Sequence, residues 1–129
     1  MRIASWATLA WLALSGCDAA GPQPAGSIPD PAALARGRLL FLEHCALCHG
    51  ARGDGQGPRR GSLSRPPPDL RSPLWRSGQR PQQVRRAIRD GRPGTDMPPW
   101  QRLGEQALDD LTSYVLALGE DASGRAARD

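Results

Sequence analysis

The six residues Cys45 to Gly50, which read CALCHG, decide the fold of this chain. Two thiols and an imidazole, each able to bind a metal, lie close together in this stretch. Three kinds of site use such a cluster: a zinc site, a dithiol redox pair, and a site of covalent haem attachment. A fourth interpretation is that two cysteines three positions apart are simply buried.

The rest of the sequence separates these interpretations. Structural zinc takes four ligands, usually from two separated pairs, and beyond this cluster the chain offers only His44 as a further histidine. A thioredoxin-like dithiol belongs to an α/β fold, and no segment has a convincing strand pattern. Cys-x-x-Cys-His is the signature of haem attachment, in which both thiols form thioethers. The motif therefore predicts haem bound through Cys45 and Cys48, with His49 as the proximal iron ligand and His44 exposed on a helix.

A second iron ligand is predicted at Met97. Met1 belongs to a predicted export signal, so Met97 is the one methionine left after its removal. It lies in the stretch GTDMPPW, where adjacent prolines and the lack of apolar periodicity argue against a core filler. Ligation by histidine and methionine raises the reduction potential of iron. Because both axial positions are then occupied by protein, we expect electron transfer and no catalytic residue.

The N-terminal segment predicts export and attachment to a membrane. Residues 1–16 carry one positive charge and then an apolar run too short for the about twenty residues that cross a bilayer. The stretch Leu14-Ser15-Gly16-Cys17 resembles the lipobox of bacterial lipoproteins, in which the cysteine carries lipid. We therefore expect a periplasmic lipoprotein anchored through Cys17, and the following Asp18 favours the inner membrane. Residues 17–29, rich in proline and glycine, are predicted to form a flexible tether.

Three helices are predicted between residues 30 and 119. Asp30 as N-cap and Pro31 begin the first, whose inward face comprises Leu34, Gly37, Phe41, Cys45 and Cys48. The second spans residues 81–90 and ends at Gly91, with Val84, Ala87 and Ile88 inward. The third runs from Glu105 to Leu118 and ends at Gly119, with Leu108, Leu111, Val115 and Leu118 inward. Residues 50–76 form a long irregular loop, and residues 120–129 are predicted to be a disordered tail.

Length and composition allow one small, basic domain. The chain has 129 residues, a net charge of +4, seventeen arginines and no lysine. Outside the export signal it has one phenylalanine, one tyrosine and two tryptophans, so three short helices bury little apolar area by themselves. A large apolar group in the middle of the domain is therefore expected on structural grounds, independently of the motif.

Taken together, these motifs resemble those of a mono-haem class I c-type cytochrome, with the cytochrome c domain over residues 30–119. The motifs that carry the resemblance are Gly37-x-x-x-Phe41-x-x-x-Cys45-x-x-Cys48-His49-Gly50, the glycine-rich stretch at 53–58, Pro66-Pro67-Pro68-Asp69-Leu70, and Met97-Pro98. The resemblance implies an all-α fold of three main helices with long loops wrapped around one covalent haem c. It also implies that the first and last helices cross near Gly37. A carbonyl of residues 66–68 should accept a hydrogen bond from His49 Nδ1.

The resemblance also implies contacts at the edge of the cofactor. Trp75 or an arginine is expected to meet the haem propionates. Many relatives ring the exposed haem edge with lysines for docking, and this chain has none. Four arginines are candidates to replace them, namely Arg85, Arg86, Arg89 and Arg92.

The functional hypothesis that follows is a membrane-tethered electron carrier between respiratory or photosynthetic redox complexes. Two alternatives remain open. One is a fixed cytochrome c subunit of a larger membrane oxidoreductase, and the other is a ligand-sensing haem protein from which Met97 dissociates. The expected partners are donor and acceptor redox proteins and the membrane, with no nucleic acid and no small-molecule substrate.

Overall fold

The computed structural model describes residues 30–126, with side chains described over residues 30–120. The predicted signal at residues 1–16, the predicted lipid site Cys17, the tether and residues 127–129 lie outside the described residues. The described part is helical and contains no strand. Its helices are α1 (Pro31–His44), α2 (Ala46–His49), α3 (Pro73–Ser77), α4 (Pro81–Asp90) and α5 (Glu105–Ala126). Within this part, no helix combines the length and apolar character that a membrane crossing requires.

Helix α1 begins as predicted but ends just before the CALCHG motif. Asp30 Oδ1 accepts a hydrogen bond from the Ala32 N–H at 3.0 Å, which caps the helix. At Cys45 φ is −115°, far from the ideal helical value of about −63°, the helix is interrupted there, and α2 starts at the next residue. The prediction that Cys45 and Cys48 continue the face of the first helix is therefore wrong. The break gives the motif a short helix of its own.

Helix α4 agrees with the prediction, whereas α5 is longer than predicted. Helix α4 buries Val84 and Ile88. The prediction that Gly119 ends the last helix is wrong, because α5 continues to Ala126. A glycine inside a helix costs only about 1 kcal/mol. Here Gly119 is buried against the side chain of Arg76, which would overlap a Cβ at that position.

Helices α1 and α5 cross at Gly37, as the resemblance implied. A Cβ atom at Gly37 would overlap the carbonyl oxygen of Asp110 and lie 2.8 Å from the Cβ of Tyr114. One turn along α1, the Phe41 ring lies 5.4 Å from the Tyr114 ring. Around this crossing the buried apolar residues form one core: Phe41, Leu70, Val84, Ile88, Leu108, Leu111, Val115 and Leu118. The predicted apolar stripe of α5 is confirmed.

The buried carboxylate of Asp110 links α1 to α5 at the same crossing. Asp110 is 3% exposed and accepts hydrogen bonds from Arg36 Nε at 2.7 Å and from Arg36 NH2 at 3.0 Å. Gln106 Nε2 donates a third hydrogen bond to it at 3.1 Å. Because these donors come from both helices, Asp110 ties α1 to α5 beside Gly37.

Because Asp110 is buried and Asp109 is exposed, substitution of Asp110 should lower the free energy of unfolding more than substitution of Asp109. Asp110→Asn keeps the side-chain shape but removes the charge, so we expect the free energy of unfolding to fall by about 1–3 kcal/mol. Asp109→Asn is the matched control, because Asp109 is 58% exposed and pairs with Arg85 at the surface. That variant should lose less than about 1 kcal/mol. Urea unfolding followed by circular dichroism measures both, and equal losses would contradict this assignment.

The long loop between α2 and α4 is more ordered than the sequence indicated. It contains a 3₁₀ turn at Arg60–Ser62 and the short helix α3, neither of which was predicted. Helix α3 begins at Pro73, directly after Ser72, which is a typical helix start. The helix has only five residues. Such a short helix has too little periodicity to be recognised from sequence alone.

Candidate cofactor site

The CALCHG motif and Met97 line one cavity. This cavity has a volume of about 240 Å³. Its lining residues are His44, Cys45, Cys48, His49, Leu63, Arg65, Pro66, Pro67, Pro68, Arg92, Thr95, Asp96, Met97, Pro98 and Trp100. The structure thus brings together the four residues predicted to hold haem, although they are up to 52 positions apart in the sequence, from Cys45 to Met97.

A second, smaller cavity of about 100 Å³ adjoins the first on the side of the core. The two share the lining residues Cys45, His49, Pro68, Arg92 and Met97. The smaller one is otherwise lined mostly by core side chains, including Phe41, Leu70, Trp75, Val84, Ile88, Leu111 and Val115. The two cavities together form an apolar slot that leads from the loops into the helical core.

The glycine-rich loop folds back on α2 and fixes the position of the motif. The Gly55 N–H donates to the His49 carbonyl at 2.8 Å, and the Arg59 N–H donates to the Leu47 carbonyl at 2.9 Å. A Cβ atom at Gly57 would overlap the backbone of Cys48. The loop backbone therefore lies directly against the turn that carries both thiols and the imidazole.

A tight turn after α4 presents Met97 on the opposite side. Gly91 has φ 71°, which favours glycine, and a Cβ there would lie 2.7 Å from the Met97 carbonyl oxygen. The Arg92 N–H donates to the same carbonyl at 3.1 Å, and the Met97 N–H donates to Thr95 Oγ1 at 3.2 Å. This turn holds the Met97 backbone firmly while leaving its thioether on the cavity wall.

Burial sets the protonation states of the motif. Burial, and then the positive charge of Arg92, lower the pKa of His49, so its imidazole is neutral at pH 7 and available as a metal ligand. Burial, and then the neighbouring Cys48, raise the pKa of the Cys45 thiol to about 12. Cys45 is therefore a protonated thiol at neutral pH.

The described residues also weigh against the competing interpretations of the motif. Over residues 30–120, no group of three or more His, Cys, Asp and Glu side chains is arranged to hold a metal ion. Cys45 and Cys48 are both free cysteines. Two thiols, a neutral imidazole and a thioether around an apolar slot fit a haem attached through thioethers.

One expected contact of His49 is not formed. The Nδ1 atom of His49 is buried and has no hydrogen-bond partner among the described residues, so the expected bond to a carbonyl of residues 66–68 is wrong for this structure. The proline run does line the cavity. However, its carbonyls lie against the loop, since a Cβ at Gly55 would be 2.6 Å from the Pro67 oxygen and 3.2 Å from the Pro68 oxygen.

His44 lies at the site, although the sequence indicated an exposed helical residue. Its side chain is 22% exposed and lines the larger cavity, and its ring lies 5.1 Å from the ring of Trp100. The Arg102 guanidinium covers the Trp100 ring at 4.6 Å. Sequence reasoning missed Trp100 as a site residue, although its place just after Met97 and two prolines is a usable signal.

The arginines proposed for docking differ in their surroundings: two form ion pairs within the chain and one lines the cavities. Arg85 forms ion pairs with Glu105 and Asp109 of α5, and Arg89 pairs with Asp90 at 2.8 Å. The charges of Arg85 and Arg89 are therefore compensated within the chain, which argues against the expected docking role for them. Arg92 lines both cavities. Of the residues expected near the propionates, Trp75 lines the smaller cavity and Arg65 the larger one.

The helical fold and this site define a c-type cytochrome domain. Residues 32–115 match the family described as cytochrome c oxidase, cbb3-type, subunit III. The chain belongs to this family.

Curated relatives agree with that assignment. The chain is 31% identical over 91 residues to the cbb3-type cytochrome c oxidase subunit FixP of Rhizobium etli, and 34% identical over 98 residues to the subunit CcoP of Rubrivivax gelatinosus. The matches cover 70% and 74% of this chain but only 29% and 30% of those relatives. This chain is therefore similar to less than a third of each relative.

The structural comparison gives a chain from a different kind of assembly. A chain of the reducing HAO-like protein complex Kustc0457/Kustc0458 of Kuenenia stuttgartiensis superposes with a TM-score of 0.63 at 27% identity. The match covers 71% of this chain and 46% of that chain. It supports the helical fold described above, independently of the oxidase subunits.

Proposed function

We propose that this protein is an electron-transfer subunit of a membrane oxidoreductase complex, of the kind that contains a cbb3-type oxidase. The observation that carries the proposal is the cavity in which Cys45, Cys48, His49 and Met97 meet. The proposed function involves no catalytic residue. Bound haem c supplies one-electron exchange between ferric and ferrous iron.

The roles of the chain's own residues follow from their chemistry. The Cys45 and Cys48 thiols would hold the haem through thioethers, and the His49 imidazole and the Met97 thioether would bind its iron. With His49 and Met97 both bound, a substrate would have no access to the iron. Residues 30–119 contain a single Cys-x-x-Cys-His motif, which supports one haem in this domain. The apolar slot excludes water and keeps the site in place between oxidation states.

The comparisons favour a fixed subunit over the mobile carrier that the sequence first suggested. The relatives are named as subunits of cbb3-type oxidases, and the structural neighbour belongs to a complex. Partners are therefore redox proteins of the same complex. Ion pairing of Arg85 and Arg89 within the chain further weakens the docking surface expected of a shuttle.

The membrane attachment is proposed from the sequence. Residues 1–16 serve as a lipoprotein signal and Cys17 carries the lipid, on the periplasmic side of the inner membrane. Residues 17–29 tether the cytochrome domain, and at about 3.1–3.5 Å per residue they reach at most roughly 45 Å. That reach lets the domain sit beside a partner that is itself embedded in the membrane.

Extraction of the membranes with mild detergent tests this function. We expect the chain to elute with a haem-containing oxidase and to keep its haem on a denaturing gel, because the haem is covalently bound. Cys17→Ser is the matched control. It should remove the lipid, seen as a loss of fatty-acid labelling, while the chain keeps its haem on the denaturing gel, because the cytochrome domain remains intact.

Two results would contradict the proposal. A wild-type chain that elutes alone from the detergent extract would favour a mobile carrier over a fixed subunit. A chain that is colourless, or that loses its pigment on the denaturing gel, would rule out covalent haem and with it the electron-transfer role.

A further inference from the structure

Ser64 and Asp96 join two loops that face each other across the larger cavity. The Ser64 backbone N–H and its hydroxyl both donate to Asp96 Oδ2, at 2.7 Å and 2.6 Å. The two residues are 32 positions apart in the sequence. Leu63 and Arg65, on either side of Ser64, line the cavity, and so do Asp96 and the adjacent Met97. The hydrogen bonds therefore connect one wall of the cavity to the other.

The other hydrogen bonds of the Met97 turn have a different effect. The Arg92 N–H donates to the Met97 carbonyl, and Thr95 Oγ1 donates to the Arg92 carbonyl at 2.7 Å. These bonds begin and end within residues 92–97, so they fix the shape of the turn. The hydrogen bonds to Ser64 instead fix the position of the turn against the opposite wall.

We infer that Ser64 and Asp96 form a latch that holds the Met97 turn closed and keeps the Met97 sulfur in place as an iron ligand. This inference rests on the ligation by Met97 proposed above. Neither latch residue touches the iron, so both are positioning residues. Hydrogen bonds to a carboxylate are stronger than neutral ones. Because both residues are exposed, the latch can open locally while the helical core stays folded.

Carbon monoxide binding to the ferrous protein tests the latch, because the ligand enters only when Met97 has left. Ser64→Ala removes one of the two hydrogen bonds, and we expect CO association to become roughly threefold faster. Asp96→Ala removes both, and we expect it to become roughly tenfold faster. The double variant should match Asp96→Ala, because both substitutions remove the same interaction. The two residues lie in different loops. Faster CO association in Ser64→Ala as well as in Asp96→Ala would therefore exclude a local distortion of the backbone next to Met97 as the cause.

The chain offers matched controls for both substitutions. Ser62→Ala removes a hydroxyl from the same loop, but this hydroxyl donates to the Arg59 carbonyl within its own turn at 2.9 Å. Asp90→Ala removes an exposed aspartate that pairs with Arg89. Both controls should bind CO at the wild-type rate, and Ser64→Thr, which keeps both donors, should do so too. A readout independent of CO is hydrogen exchange of the residue 64 amide, which donates to Asp96 and should exchange faster in Ser64→Ala because the remaining hydrogen bond is weaker alone.

The outcomes separate the latch from the ligation on which it rests. Unchanged CO association in Ser64→Ala and Asp96→Ala, in a protein that keeps the weak red absorption of iron bound to a thioether, would overturn the latch alone. A wild-type protein that lacks this absorption and binds CO rapidly would overturn Met97 ligation and the latch with it. Equal acceleration in Ser62→Ala would show general loosening of the loop and would also overturn the latch.

Discussion

Replacement of Met97 by alanine is expected to abolish the weak red absorption of the oxidised protein and to lower the reduction potential by roughly 0.1–0.3 V. Axial ligands set haem potentials over a range of about 0.8 V, and a thioether raises the potential by favouring ferrous iron. An alanine methyl offers no donor atom, so water or an external ligand takes the vacated position. Potentiometric titration with simultaneous absorption spectra measures both effects.

Leu63→Ala is the matched control for this variant. Leu63 lines the same cavity and is half-buried like Met97, so its truncation removes similar apolar volume without removing a donor atom. We expect Leu63→Ala to keep the red absorption and to change the potential far less. If both variants lowered the potential equally, the effect would come from hydration of the cavity, and Met97 would not be the ligand.

Features encoded by neighbouring residues were predictable from the sequence. Asp30 and Pro31 begin α1, Pro81 begins α4 and Gly91 ends it, because a cap, a fixed φ or a positive φ acts within one helical turn. The apolar stripe of α5 was visible for the same reason. The cluster of thiols and imidazole is likewise a local pattern, so its chemistry could be inferred before its surroundings were known.

Features that depend on distant contacts were not predictable. Helix α5 passes through Gly119 because Arg76, from another helix, packs against it and also pairs with Glu120 at 3.7 Å. His44 is half-buried because Trp100 lies against its ring. A sequence pattern reports spacing along one chain segment, whereas these contacts arise only when two segments have been brought together.

The same limit applies to the loops around the cofactor site. The sequence indicated the donor atoms of Cys45, Cys48, His49 and Met97 but not how the loops that carry them are held. The bond between Ser64 and Asp96 joins segments 32 residues apart, and neither residue belongs to a periodic pattern. The expected bond of His49 also depends on distant contacts, and two of its candidate acceptors, the Pro67 and Pro68 carbonyls, lie against Gly55.

The contact between α1 and α5 predicts that Gly37→Ala destabilises the protein, although helix propensity alone predicts the opposite. In an isolated helix, alanine is favoured over glycine by about 1 kcal/mol. At Gly37, however, the new Cβ would overlap the carbonyl oxygen of Asp110 and lie 2.8 Å from the Tyr114 Cβ. A backbone carbonyl cannot rotate away as a flexible side chain does, so the two helices must separate. Such overpacking costs about 3 kcal/mol, and the packing term therefore outweighs the propensity.

Gly61→Ala is the matched control for Gly37→Ala. It adds the same methyl group at a position where no heavy atom lies within 4 Å of the new Cβ. We expect Gly61→Ala to leave the free energy of unfolding within about 0.5 kcal/mol of the wild type. Gly37→Ala should lower it by about 2 kcal/mol, the difference between the packing and propensity terms. Urea unfolding of the haem-loaded protein measures both.

Separation of the helices should also broaden the haem absorption bands, because Phe41 lies between this crossing and the His49 ring. The Phe41 ring is 5.4 Å from the Tyr114 ring and 6.4 Å from the His49 ring. A stabilised Gly37→Ala protein would mean that α1 and α5 do not approach this closely.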